Sequence, residues 1–137
     1  MTLTHRWTIR LAAEFGHADI TPELSTFVRG SGVKTGLLTV QLVGSTGAVT
    51  TIEYEPGALA DLRRALDAVA PPDGDYAHNA RWGDGNGFSH VRSALLKTSV
   101  SLPIVDSELL LGTWQQVVAL NLDNRERQRE LVAVLVG

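Results

Sequence analysis

Apolar residues take alternate positions at Trp7, Ile9, Leu11, Ala13 and Phe15, with Thr8, Arg10 and Glu14 between them, which predicts an opening strand with one buried face. The period then lengthens. Leu24, Phe27 and Val28 stand at i, i+3 and i+4 behind Thr21 and Pro22, a cap and first-turn pair, and Gly30 and Gly32 close the predicted helix. Residues 36–43 and 47–54 are β-branched and apolar on either side of Gly44-Ser45-Thr46, so two strands with a tight polar connection are expected. A second helix over 56–70 buries Leu59, Leu62, Leu66 and Val69, and Pro71-Pro72 ends it. Asp73 to Asn86 has few apolar residues and reads as a long structured loop, after which Ser89 opens a short helix carrying Val91, Ala94 and Leu95. Alternation at Val100, Leu102 and Ile104, then segments 109–112, 115–122 and 130–136, supply the remaining strands. The fold class is α+β: one β-rich domain over 1–137, with sandwich-like sheets and two or three helices.

Composition narrows the function classes. A chain of 137 residues is long enough to bury a core without a disulfide or metal staple. Lys and Arg total 12 against 15 Asp and Glu, so the basic footprint of a nucleic-acid binder is missing. The absence of cysteine rules out disulfides, thiolate catalysis and any zinc site built on thiolates. The first residues lack an apolar signal core and no apolar run is long enough to span a bilayer, so no membrane partner and a cytoplasmic location are expected.

Candidate chemistry gathers between residues 76 and 90. Gly83, Gly85 and Gly87 permit positive φ and close backbone approach, and so suit an anion cradle or a subunit contact. No Lys-Ser/Thr follows them, which excludes a P-loop. His78 and His90 bracket the glycines; they either converge on a metal or phosphate or serve as hydrogen-bonded structural histidines. His5 and His17, near strand ends, are expected to be solvated. Glu53 and Glu55 point to opposite faces, Glu53 being the candidate for a site, or for an interface ion pair, and Glu55 serving the following helix. Trp114 is expected as a buried indole, and Gln115 can donate and accept at once. Arg125 and Arg127 either hold phosphate or form hairpin ion pairs.

A series of blocks carries a resemblance. They are Asp19-Ile20-Thr21, Ser31 to Gly36, Gly44-Ser45-Thr46 through Gly57, Tyr76-Ala77-His78-Asn79, Gly83 to His90, Ser99 to Pro103, Gly112-Thr113-Trp114-Gln115 and Asp123-Asn124-Arg125. In this order they resemble the YjbQ-like family, whose members are often labelled secondary thiamine-phosphate synthases. The resemblance implies a β-rich α+β domain that assembles as a homotrimer and a polar cleft whose histidines hold a divalent metal, usually zinc. It implies a weak thiamine-phosphate synthase reaction joining a pyrimidine pyrophosphate to a thiazole phosphate. His78 and His90 would then bind metal or phosphate and act catalytically with Glu53, while Ser45, Thr46, Gly85, Asn86, Gly87, Gln115 and Arg125 would line the ligand. The chain departs from the pattern at Gly44 and Phe88, where histidine is common among members, and at Lys97 and Ser107, where glycine is. A competing expectation is a non-catalytic trimeric metabolite-binding or structural protein.

Overall fold

Unbroken alternation from Thr2 makes the first strand, β1 (Thr2–Leu11), which pairs antiparallel along its whole length with the last, β8 (Arg127–Val136). The computed structural model describes residues 1–137. After β1 come β2 (Gly16–Asp19), α1 (Thr21–Ser31), β3 (Gly36–Val43), β4 (Gly47–Ile52), α2 (Pro56–Val69), α3 (Ala77–Trp82), α4 (Gly87–Leu96), β5 (Ser99–Val105), β6 (Glu108–Leu109) and β7 (Gln116–Asn121). The α+β expectation holds, with four helices where two or three were expected, because the loop over 73–86 winds α3 at its centre.

The strands divide into a five-stranded sheet, ordered β1-β8-β3-β5-β6, and a three-stranded sheet, β2-β7-β4. Gly44-Ser45-Thr46 therefore carries the chain from one sheet to the other. The inner face of the large sheet contributes Leu38, Val40, Leu42, Leu131, Ala133 and Leu135 to a core shared with Leu24 and Val28 of α1 and with Val49, Val117 and Ala119 of the small sheet. The other face of the small sheet, through Ala48, Val118 and Leu120, packs on Leu59 and Leu66 of α2. The small sheet is thus a middle layer, buried on both sides, which explains the nearly continuous apolar run of β7. Truncating a fully buried leucine such as Leu131 to alanine costs about 2–5 kcal/mol.

Several local expectations are corrected. The first strand stops at Leu11 and the chain turns, so Ala13 is exposed while Phe15 joins the second core. Thr21 is not a cap: its Oγ1 accepts from the Val117 N–H across to β7, and Asp19 Oδ1 takes the Thr21 N–H. Gly30 lies inside α1, and Gly32 at φ +74 ends it. Glu55 does cap α2, accepting from the Gly57 and Ala58 N–H groups at 2.7 Å each. Val69 is 66% exposed, and the residue after α2, Ala70, turns inward in its place. His5 is no solvated strand end; it stacks between Trp7 and Phe27 and meets Glu23 at 2.7 Å. Trp114 is 72% exposed, since the segment between β6 and β7 is a turn rather than a strand, and no core reaches it.

Helix α4 inverts its expected face. Phe88, Ser89, Arg92 and Ser93 are buried while Val91 and Leu95 are exposed. Buried polar side chains require partners, and these have them. Arg92, 1% exposed, donates to Ala70 O at 2.9 Å and to Asp67 at 2.8 Å and lies over Phe88; Ser93 donates to Gly47 O at 2.6 Å. This anchors α4 to both α2 and β4. No helix is long and apolar enough to cross a membrane.

Candidate functional site

Two short helices bring the histidines together. His78 sits in α3, which Gly83 closes at φ +72, and after Gly85 at φ +71 the chain re-enters a helix at Gly87. A side-chain carbon at Gly87 would fall 2.5 Å from Tyr76 Cβ, so glycine here allows α4 to pack against the start of α3. The resulting turn sets His78 against His90, ring centroids 4.3 Å apart and planes tilted by 40°. His78 Nδ1 is buried without a hydrogen-bond partner, 3.5 Å from Asp84 Oδ1. Burial pushes His90 below its ordinary imidazole value, and the adjacent His78 adds to that, against the opposing pull of Asp123 and Asp84.

Beneath the pair lies a buried polar cluster. Asp123 is fully buried and accepts from Thr46 Oγ1, Arg127 Nε, the Asn124 N–H and Asn86 Nδ2. Burial alone would raise its pKa; the hydrogen bonds from Asn86, Thr46, Asn124 and Arg127 outweigh it and hold the carboxyl below the usual carboxylate range. Arg129, also buried, donates to Thr46 Oγ1 at 2.8 Å and Asn121 Oδ1 at 2.7 Å, while its Nε has no partner; desolvation lowers its pKa. A side-chain carbon at Gly44 would meet Arg129 Nη1 at 2.9 Å, so the guanidinium fills the space a larger residue at 44 would need. Asn86 lies between two carboxylates. Its amide donates to Asp123 at 3.3 Å in one orientation and to Asp84 at 3.0 Å in the other.

Beside His90 opens a cavity of about 350 Å³ lined by Gly44, Ser45, His90, Ser93, Ala94, Lys97 and Thr98. Thus His78, His90, Asn86, Thr46 and Ser45 gather in one corner. The Gly87 N–H, expected to face a ligand, is instead committed to Asn79 Oδ1 at 2.8 Å. Gly85 is exposed, and Arg125 is exposed and outside every ion pair of the chain. Glu53 and Gln115 stand elsewhere. Gly47, next to Thr46, pairs with Asn121 at one end of the small sheet, whereas Ile52 pairs with Gln116 at the other, so Glu53 and Gln115 lie about one strand length away. Gln115 there donates to Thr51 Oγ1 and accepts from the Gly112 N–H. No three His, Asp or Glu side chains of the chain form a group able to hold a metal ion. The two imidazoles alone fall short of the three protein ligands of a catalytic zinc site.

Residues without an assigned role in the sequence reading complete the corner. Arg129 had a signal: it shares strand parity with Leu131, Ala133 and Leu135, a charge on an apolar face. Asp123 stood within a recognised block. Asp84 likewise stood within the Gly83 to His90 block.

The family model described as UPF0047 protein YjbQ-like matches residues 5–137. A UPF0047 protein of Methanothermobacter thermautotrophicus is 34% identical over 131 residues, covering 96% of this chain and 90% of that relative. One from Synechocystis is 38% identical over 117 residues, covering 84% and 79%. Among solved structures, a hypothetical protein of Aeropyrum pernix K1 superposes with a TM-score of 0.90 at 27% identity over 98% of both chains. An uncharacterised YjbQ/UPF0047 family protein of Clostridium acetobutylicum does so with 0.87 at 28%, covering 96% of this chain and 99% of that one.

Proposed function

The chain belongs to the UPF0047 YjbQ-like family, and we propose that it binds a phosphorylated small molecule beside the His78–His90 pair, with thiamine-phosphate formation as the candidate reaction. The observation that carries this is the polar cavity lined by His90 and Ser45, with the His90 ring lying against that of His78. In such a reaction the thiazole nitrogen bonds to the pyrimidine methylene carbon as the carbon–oxygen bond to pyrophosphate breaks. The electron pair leaves with pyrophosphate, and donors placed at that oxygen lower the barrier. His90 and Ser45, which line the cavity, would hold it, with Asn86 behind them. A divalent metal would have to draw ligands beyond His78 and His90, from substrate or a second subunit.

A cytoplasmic homotrimer goes with this function. On the outer face of the large sheet, exposed Leu37 stands between Val136 on β8 and Pro103 on β5, an apolar strip suited to a second copy. Glu53 and Gln115 would then serve a site only by way of a neighbouring subunit. A second reading, binding without turnover, is favoured by one observation: Arg129 occupies the space beside Gly44, where a further ligand would stand.

The test is turnover of a pyrimidine pyrophosphate with a thiazole phosphate, alongside light scattering for copy number. Product formation that exceeds a His78→Ala, His90→Ala control supports the enzyme. Equal traces in both preparations reject it and leave the binding reading.

A further inference from the structure

The chain leaves α4 through Lys97 at φ 75 and ψ 159. That region is almost confined to glycine, and a side chain persists there only where the surroundings over-determine the backbone. They do so here. The Lys97 N–H donates to Ser93 O at 2.8 Å, its carbonyl accepts from Val49 N at 3.2 Å, and the next carbonyl, Thr98 O, takes the Leu42 N–H at 2.8 Å. Both sheets thus pin the turn, and glycine would satisfy it without strain. Three other non-glycine residues have positive φ, Glu14, Asp106 and Ser107, and none of them lines a cavity. Lys97 does.

Its cavity has a one-sided chemistry. Ala94 is the single hydrophobic residue of the lining, there is no carboxylate, and Lys97 takes part in no ion pair of the chain. The Ser93 hydroxyl is spent on Gly47 O, and Thr98 Oγ1 donates to Gln41 at 3.3 Å. Ser45, the His90 ring and the Lys97 ammonium remain as donors. An ammonium with hydroxyl and imidazole donors and no counter-charge matches a multi-oxygen anion.

We infer that Lys97 is a ligand-binding residue and that the cavity beside His90 is a subsite for a phosphate or pyrophosphate group. It deepens the phosphorylated-ligand reading above and rests on it. The strained backbone is retained because the side chain at 97 supplies the charge that glycine cannot.

The experiment measures inorganic pyrophosphate affinity by calorimetry, and Tm, for the wild type, K97G, K97M and H90A. K97G is expected to melt higher than wild type, because strain is relieved, yet to bind pyrophosphate at least about tenfold more weakly. K97M keeps the strained side-chain carbon, so its Tm should stay at wild type while the affinity falls as in K97G. If H90A weakens binding but K97G and K97M bind like wild type, Lys97 has no such role and the reading at His90 stands. If the wild type and H90A bind alike, or neither binds, the underlying reading fails and the inference with it.

Discussion

Asp123 and His78 occupy the same corner of the fold, bridged by Asn86 and Asp84, yet the protein treats them in opposite ways. The Asp123 carboxylate is enclosed and receives donors on both oxygens. The His78 Nδ1 is also enclosed and receives none. A satisfied buried charge fixes geometry, whereas a buried nitrogen without a partner adds no such restraint. On the proposed function, Asp123 is the strut of the corner and the histidine pair its working surface. Variants that separate stability from binding test that division.

The largest effect belongs to the strut. Asp123→Ala leaves Arg129 and Arg127 facing each other without the carboxylate, and removing one partner of a buried pair costs about 3–5 kcal/mol. In a chain of this size that is a fall in Tm on the order of 10 °C, read by thermal denaturation. A loss under about 1 kcal/mol would show that water replaces the carboxylate and that the corner is not held by it.

The histidine pair should behave the other way round. His78→Ala combined with His90→Ala removes two half-buried rings that make no hydrogen bond within the chain. Stability should therefore shift by no more than about 1 kcal/mol. Pyrophosphate affinity should drop about tenfold or more, equivalent to about 1.4 kcal/mol. Unfolding at the scale of the Asp123 variant would make the rings struts as well, and the contrast would vanish.

Why one part of this corner was legible in the sequence and the other was not follows from how each is encoded. Alternation identified β5, and a helical stripe α2, since burial of one face writes itself into composition every two or 3.6 residues, and a β-branched apolar run identified β3. His78, Asn86 and His90 stood out because glycines crowd a short segment around them. Asp123 and Arg129 are held by side chains 77 and 83 positions away at Thr46, and pairing at that range leaves no local period. The same holds for α4: Val91 and Leu95 invited an apolar face, but buried partners from α2 and β4 turned Arg92 and Ser93 inward. Trp114 misled for the opposite reason, a large apolar residue that stays 72% exposed and joins neither core.

A smaller effect sharpens the strut. Glu55 also accepts two N–H groups, but at the exposed start of α2. Glu55→Ala should cost about 1 kcal/mol, the ordinary value of a lost cap, read as a shift in the urea midpoint at unchanged m. Two carboxylates with the same kind of bonds would then differ several-fold in worth, the difference lying in burial. Equal losses for Glu55→Ala and Asp123→Ala would assign the energy to hydrogen bonds alone.

The smallest effect is a pH slope, and its sign follows from the direction of each pKa. Burial, reinforced by His78, holds His90 below its ordinary value near 6.5, so just under that pH the unfolded chain binds a proton that the folded protein refuses. Stability therefore rises with pH through the window between the lowered value and about 6.5, and is lost as acid is added. Asp123 acts lower on the scale. Its pKa is depressed in the fold, so its contribution is complete above the unfolded carboxylate value and disappears as pH falls through the lowered folded one. His90→Asn should flatten the upper limb and leave the lower, while Asp123→Asn should do the reverse on a lower baseline. Urea titrations across both windows separate the two; an upper limb unchanged in His90→Asn would mean that the proton is taken up elsewhere, and that the ring is not held neutral by its burial in this corner.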